Sequence, residues 1–217
     1  MMVQSLQTVL SMPDTASLPI ATAVILAGGN SSRMGTDKAL LPWQGVPLLR
    51  RVYEVAQRSC HQVKIITPWP DRYRPVVPIT AQFIPDQYPG QGPLWALYQA
   101  LSSLRTEWLL LLACDLPNLE AAVLERWVCA LSHLPADCLA YVPRHPSLQV
   151  WEALCACYRR SALPSLEAFL GEGGTSFQAW LRTIQVSEIL LPPSQSDLLR
   201  NLNQPSDLED LDSNLIR

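Results

Sequence analysis

Four charged side chains stand where this chain could handle a triphosphate. Arg33 and Lys38 lie in residues 24–49 (VILAGGNSSRMGTDKALLPWQGVPLL), Asp86 heads DQYPGQGPL, and Asp115 sits in LLACDLP. An arginine offers a planar fork that holds two phosphate oxygens, and a lysine a point charge on a flexible stem. Both cations share one loop with Gly28, Gly29, Gly35, Ser31 and Ser32. Glycine lacks a Cβ, so the main chain there can come close to a ligand and aim its N–H groups at anionic oxygens. An ordinary βα turn would explain a bare Gly-Gly; glycines, hydroxyls and two cations packed together read as a phosphate cradle. It is neither a P-loop, because Thr36 and Asp37 separate Gly35 from Lys38, nor a dinucleotide fingerprint, because G-x-G-x-x-G is missing. Nucleotidyl transfer also needs a carboxylate. Mg²⁺ bridges phosphate oxygens and typically takes only one or two from the protein. Asp115 follows a long apolar run, at the kind of strand end where open α/β sheets bind ligands. For Asp86, a loop acid and a ligand contact stand level.

The elements that must carry these groups follow from the apolar pattern. Residues 22–27 form a continuous apolar run suited to a strand buried on both faces, and this strand delivers the loop. Pro47 opens a helix whose stripe is Leu48, Leu49, Val52, Val55 and Ala56, ending near Ser59 and Cys60. Residues 63–67 give a second strand, 68–78 a loop, 79–84 a short strand, and 93–104 a helix. Residues 107–114 give the most apolar strand. Beyond it the pattern predicts a helix over 119–134, strands over 137–142 and 149–159, and a helix over 163–170 that could continue to Leu181 across Gly171, Gly173 and Gly174. A strand follows over 183–191, and a last helix opens on the capping box Ser206-x-x-Glu209. Strands and helices alternate almost throughout, which is the pattern of a three-layer α/β/α sandwich on a mainly parallel sheet. Residues 1–19 lack a sustained period and read as a disordered extension ahead of one domain over 20–217.

Composition narrows the function. At 48% hydrophobic and 16% charged over 217 residues, the chain can build one substantial core. A net charge of −3 argues against gripping nucleic acid, whose affinity comes from neutralising many phosphates. The seven tryptophans are dispersed and no basic stripe accompanies them, so packing is the expected role. His61, His133 and His145 show no partner pattern. The six cysteines form no C-x-x-C pair, which fits small apolar packing in a reducing compartment; Cys155 and Cys157 would share a strand face. No stretch has the roughly 20 apolar residues that span a bilayer, and residues 1–19 have no basic n-region before an apolar core. A soluble, cytoplasmic protein is expected.

The pattern LAGG-x-S-x-R-M-G-x-D-K-A-L-L-P-x-x-G-x-P-L-L, unbroken over residues 26–49, resembles the signature of the molybdenum cofactor guanylyltransferases (MobA type), a branch of the nucleotidyltransferases with a Rossmann-like α/β fold. The resemblance implies transfer of GMP from GTP to molybdopterin, with Mg²⁺ as cofactor and pyrophosphate as the second product. It implies Leu26, Ala27 and Gly28 against guanine and ribose, Lys38 and Arg33 on the phosphates, Asp115 on metal and nucleotide, and Asp86 on the nucleotide. Gly29 favours GTP, since relatives that use CTP or make sugar nucleotides tend to show LAAG. On the molybdopterin side it implies Asn201 and Asn203, within N-x-N-x-P, and the region of Gln149 and Glu152; spacing alone reads residues 201–205 as a polar turn. Molybdoenzymes or other cofactor-biosynthesis proteins are implied partners. The chain departs from the family pattern at Ala153 after Glu152, at Trp95-Ala96-Leu97 after Gly-Pro-Leu, and at Pro68-Trp69-Pro70, where an Asn often follows the second strand. The alternatives are a cytidylyltransferase or sugar-phosphate nucleotidyltransferase of the same fold, and a noncatalytic GTP-binding protein that delivers cofactor.

Overall fold

Strict alternation within the apolar runs divides the interior into two cores, one on each face of a single sheet. In strand β1 (Ala21–Leu26), Ala21, Ala23 and Ile25 join one core and Val24 the other. In β6 (Trp108–Ala113), Trp108, Leu110 and Leu112 face the first core, while Leu109 and Leu111 face the second. A strand with both faces covered has no polar alternation to display, which is why these segments read as continuous apolar runs.

The computed structural model describes residues 21–28, 37–145, 148, 150–192, 195 and 197–202. The expectations for Gly29, Arg33, Gln149, Asn203, residues 1–19 and the helix after Ser206 fall outside these residues. After β1, a 3₁₀ turn (Lys38–Leu40) leads into a small antiparallel hairpin, β2 (Pro42–Trp43) and β3 (Val46–Pro47), and then helix α1 (Leu48–Ser59). Strand β4 (Val63–Thr67) follows, then a short helix α2 (Pro70–Tyr73) that runs into a 3₁₀ turn (Arg74–Val76), and β5 (Gln82–Pro85). Helix α3 (Pro93–Ser102), β6, helix α4 (Ala121–Ala130), β7 (Ala140–Pro143) and β8 (Cys155–Arg159) come next. Helices α5 (Leu163–Gly171) and α6 (Phe177–Leu181) and strand β9 (Val186–Ile189) complete the described elements.

The main sheet has the order β5-β4-β1-β6-β8-β7-β9. Strands β5, β4, β1 and β6 run parallel; β8 is antiparallel to both β6 and β7, and β7 is parallel to β9. Helices α1 and α4 cover one face through Leu49, Val52, Tyr53, Leu124 and Val128, and α3, α5 and α6 cover the other through Leu97, Leu166 and Trp180. The result is the expected α/β/α sandwich. Cys155 and Cys157 share the first core, and burial pushes the Cys60 thiol in the same core up to about 12.

Three boundaries differ from those the pattern predicts. The stretch read as a loop after β4 contains α2, a four-residue helix opened by Pro70, too short to show a period. The segment read as one helix over 163–181 is two, because Gly173 takes φ +84° and Ser176 then caps α6 by accepting from the Ala179 N–H. The strand read over 149–159 begins only at Cys155; Trp151 makes an isolated bridge to Arg144, and the Cys155 N–H closes a turn onto the Glu152 carbonyl at 3.1 Å.

Two features of this topology build the site. The chain leaves β1 toward β4 and β5, then returns to β6 on the other side of β1, so a crevice opens at the C-terminal ends of β1 and β6. Because β8 runs against β6, it brings its first residues to the same rim, and the Ala113 N–H donates to the Leu154 carbonyl at 2.7 Å.

Candidate active site

The crevice is a cleft of about 700 Å³ bounded by the C-terminal ends of β1, β4, β5 and β6. Leu26, Ala27, Gly28, Lys38, Asp86 and Asp115 all line it, so every expected nucleotide-site residue among those described converges there. Strand β1 keeps its ladder to the last residue: the Ala27 N–H donates to the Ile66 carbonyl at 3.0 Å, and Ala27 is buried. The side chain thus belongs to the core while the main chain reaches the cleft. Gly28 follows at a very close approach, since a Cβ placed there would lie 2.5 Å from Cδ of Pro68. A proline ring cannot swing aside. Gly28→Ala should therefore destabilise the protein by about 1–3 kcal/mol, the usual range for overpacking, and weaken nucleotide binding by prying β1 from the loop after β4. A melting curve and a GTP titration check this; an unchanged melting temperature would show that Pro68 yields.

At the charged end of the cleft, Lys38 Nζ lies 3.3 Å from Asp115 Oδ2, with both side chains about four-fifths buried. The residues come from loops 77 positions apart in sequence, and adjacent strands bring them together. Asp37 fixes the lysine's main chain. Its Oδ1 accepts from the Ala39 N–H at 3.1 Å, while Oδ2 accepts from the Tyr73 hydroxyl at 2.8 Å and from Arg72 Nη1 at 3.2 Å. Tyr73 is fully buried; burial and the Asp37 carboxylate beside it push its phenol well above the usual range, so it remains a donor. Sequence reasoning missed this clamp. A polar pair 36 residues away leaves no local signal, and Tyr73 sits in the short helix that read as loop.

Asp86 belongs to the other end. Its N–H donates to the Thr67 carbonyl at 3.0 Å, and its Oδ1 accepts from the Tyr88 N–H at 2.9 Å, an Asx-type turn. Gln99, buried on α3, steadies this loop by accepting from the Gln87 N–H at 3.0 Å and donating to the Pro85 carbonyl at 2.8 Å. The two readings of Asp86 therefore coexist: one oxygen closes a turn, and the residue lines the cleft. Strands β4 and β1 lie between β5 and β6, which puts the two aspartates on the order of 14 Å apart. They cannot share one metal ion.

Among the described residues no group of three or more His, Cys, Asp or Glu could cage a metal. The donor set suits a divalent cation that takes one protein carboxylate, here Asp115, and completes its shell with phosphate oxygens and water. The rim beside Asp115 also carries polar groups for a second ligand. The Leu202 N–H donates to the Asp115 carbonyl at 3.1 Å, and Leu202 is buried against Trp43 and Leu48, which seats Asn201 next to Asp115. Glu152 precedes β8 at the same rim, where burial raises its carboxyl pKa and His145 pulls it part of the way back.

Comparison with known proteins agrees with this geometry. Residues 23–188 match the family described as the MobA-like NTP transferase domain. A probable molybdenum cofactor guanylyltransferase of Trichormus variabilis is 46% identical over 187 residues, covering 86% of this chain and 88% of the relative. One of Synechococcus elongatus is 44% identical over 191 residues, covering 87% and 96%. In shape the chain is similar to the molybdopterin-guanine dinucleotide biosynthesis protein A of Archaeoglobus fulgidus, with a TM-score of 0.72 at 22% identity over 90% of this chain and 98% of that one. A nucleotidyl transferase of Methanothermobacter gives 0.71 at 16% identity, over 91% and 98%. At these identities the structural likenesses carry the fold alone.

Proposed function

This chain belongs to the MobA-like NTP transferase family, and from that premise we propose that it transfers GMP from GTP to molybdopterin, giving the guanine dinucleotide form of the cofactor and pyrophosphate. The observation that carries the reading is the Lys38–Asp115 pair at the crevice between β1 and β6, the charged end of a cleft long enough for a nucleotide.

A phosphate oxygen of molybdopterin attacks the α-phosphorus of GTP in line. The bond from that phosphorus to the oxygen bridging toward the β-phosphate breaks, and pyrophosphate leaves with the electron pair. The attacking phosphate is already ionised at neutral pH, so positioning and charge stabilisation do the catalytic work. Lys38, anchored through Asp37, turns from Asp115 to the phosphates, and Arg33 joins it from the glycine loop. Leu26, Ala27, Gly28 and Gly29 present main-chain groups to the nucleoside, and Asp86 meets the nucleotide at the far end. Asp115 holds Mg²⁺, which when bound neutralises charge on the phosphoryl oxygens. Asn201, Asn203 and Gln149 receive the pterin on the rim beside Asp115, where amides can both donate to and accept from its edge. No helix among the described residues is long and apolar enough to cross a membrane. Six unpaired cysteines suit the reducing cytoplasm, where we place the reaction.

Two measurements test this. Thermal shift with Mg²⁺ and either GTP or CTP should show the larger rise with GTP, because a ligand that binds only the folded state stabilises it. Pyrophosphate release should require molybdopterin. A larger rise with CTP would reassign the base, and GTP binding without pyrophosphate release would make the protein a carrier.

A further inference from the structure

The cleft has a polarity that the charged residues alone do not explain. Lys38 and Asp115 mark the phosphate end at β1 and β6, and Trp69 lines the cleft just beyond the end of β4. Two strand spacings separate β4 from β6, on the order of 10 Å. A nucleotide with its phosphates at Lys38 therefore carries its base toward Trp69. The indole is held for such a task. The Trp69 N–H donates to the buried Thr67 Oγ1 at 3.1 Å, the Arg72 guanidinium stacks 4.6 Å from the ring centroid, and 37% of the residue remains exposed. Tyr88, the other aromatic side chain lining the cleft, is committed to its own cluster, 4.8 Å from Trp95 and 6.1 Å from Tyr98.

We infer that Trp69, backed on its ring by Arg72, is the surface on which the nucleobase stacks, and that Arg72 ties this contact to the phosphate lysine. Arg72 Nη1 donates to the same Asp37 oxygen that Tyr73 clamps, so the residue behind the base platform also fixes the main chain that carries Lys38. Stacking suits any base, and guanine's broad π-face makes it a favourable partner. This rests on the nucleotidyl-transfer reading of the cleft but not on which acceptor is used.

The test is calorimetric binding to the full chain of GTP and of inorganic tripolyphosphate, each with Mg²⁺, for wild type, Trp69→Phe and Trp69→Leu. Losing a base–aromatic stack costs roughly 5- to 100-fold in affinity. Trp69→Leu should lose GTP affinity by that factor and keep tripolyphosphate affinity, and Trp69→Phe should stay within about threefold of wild type for both, since a phenyl ring still stacks. Unchanged GTP binding in Trp69→Leu overturns the inference. So does an equal loss of tripolyphosphate, which would mean that the indole merely shapes the loop. If the predicted split appears but wild type releases no pyrophosphate with molybdopterin, stacking is supported and the acceptor is refuted. A wild-type protein that binds no nucleotide refutes both.

Discussion

Asp115→Asn yields a folded protein that releases pyrophosphate about a hundred- to a thousandfold more slowly at saturating GTP and Mg²⁺. That factor is typical when one group aimed at transition-state charge is lost. The change keeps the side chain's shape and its ability to accept from Lys38 Nζ, now 3.3 Å away, so stability changes by less than about 1 kcal/mol. The loss falls on charge. A neutral amide is a poor ligand for a cation whose remaining ligands are phosphate oxygens and water, and among the described residues no other cluster of His, Cys, Asp or Glu stands ready to replace it. Raising the Mg²⁺ concentration should restore part of the rate. An unchanged melting temperature with near wild-type turnover would remove Asp115 from the metal site and leave its ion pair with Lys38 as a structural contact.

How much of this site was legible in the sequence depends on how each residue is held. Lys38 and Asp115 could be found because each stands at a boundary that the apolar pattern marks, the loop after β1 and the end of β6. Asp37 could not be weighed correctly. It looked like a spacer between Gly35 and Lys38, whereas its value lies in Tyr73 and Arg72, which reach it from another loop. Trp69 was noticed only as a departure from a family pattern, and its place in the cleft comes from the close approach of Pro68 to Gly28.

The fold divides in the same way. Strand β4 and helix α1 follow from local pattern alone, residues 63–67 as one apolar run and 48–59 as one stripe. The reversed direction of β8 has no local signature, because a strand's faces alternate identically whichever way it runs. Yet that reversal puts Leu154 at the cleft, and with it Glu152 on the rim. The break between α5 and α6 was visible as three glycines, but only Gly173 takes the left-handed conformation that ends the first helix there.

Lys38→Met isolates the second half of the ion pair. Methionine nearly matches the lysine stem in length and packs comfortably, so the 3₁₀ turn and its cap on Asp37 persist. What disappears is a positive charge free to move a short distance from a carboxylate to a triphosphate. A lysine can make that movement because its ammonium is a point charge on a flexible stem, while its main chain is clamped from three directions by Asp37. The charge is needed most as pyrophosphate departs, when negative charge builds on the leaving oxygen. Turnover should fall by about a hundredfold or more, and the KM for GTP should rise because the ground-state triphosphate also loses a partner. Unlike Asp115→Asn, this variant should not respond to added Mg²⁺, since the cation cannot occupy the position of the missing ammonium. Lys38→Arg should recover part of the affinity but little of the rate, because a planar fork keeps the charge and misplaces it. If Lys38→Met and Asp115→Asn recovered equally with added Mg²⁺, the two residues would share a single metal-dependent role, and the phosphate-contact assignment of Lys38 would fall.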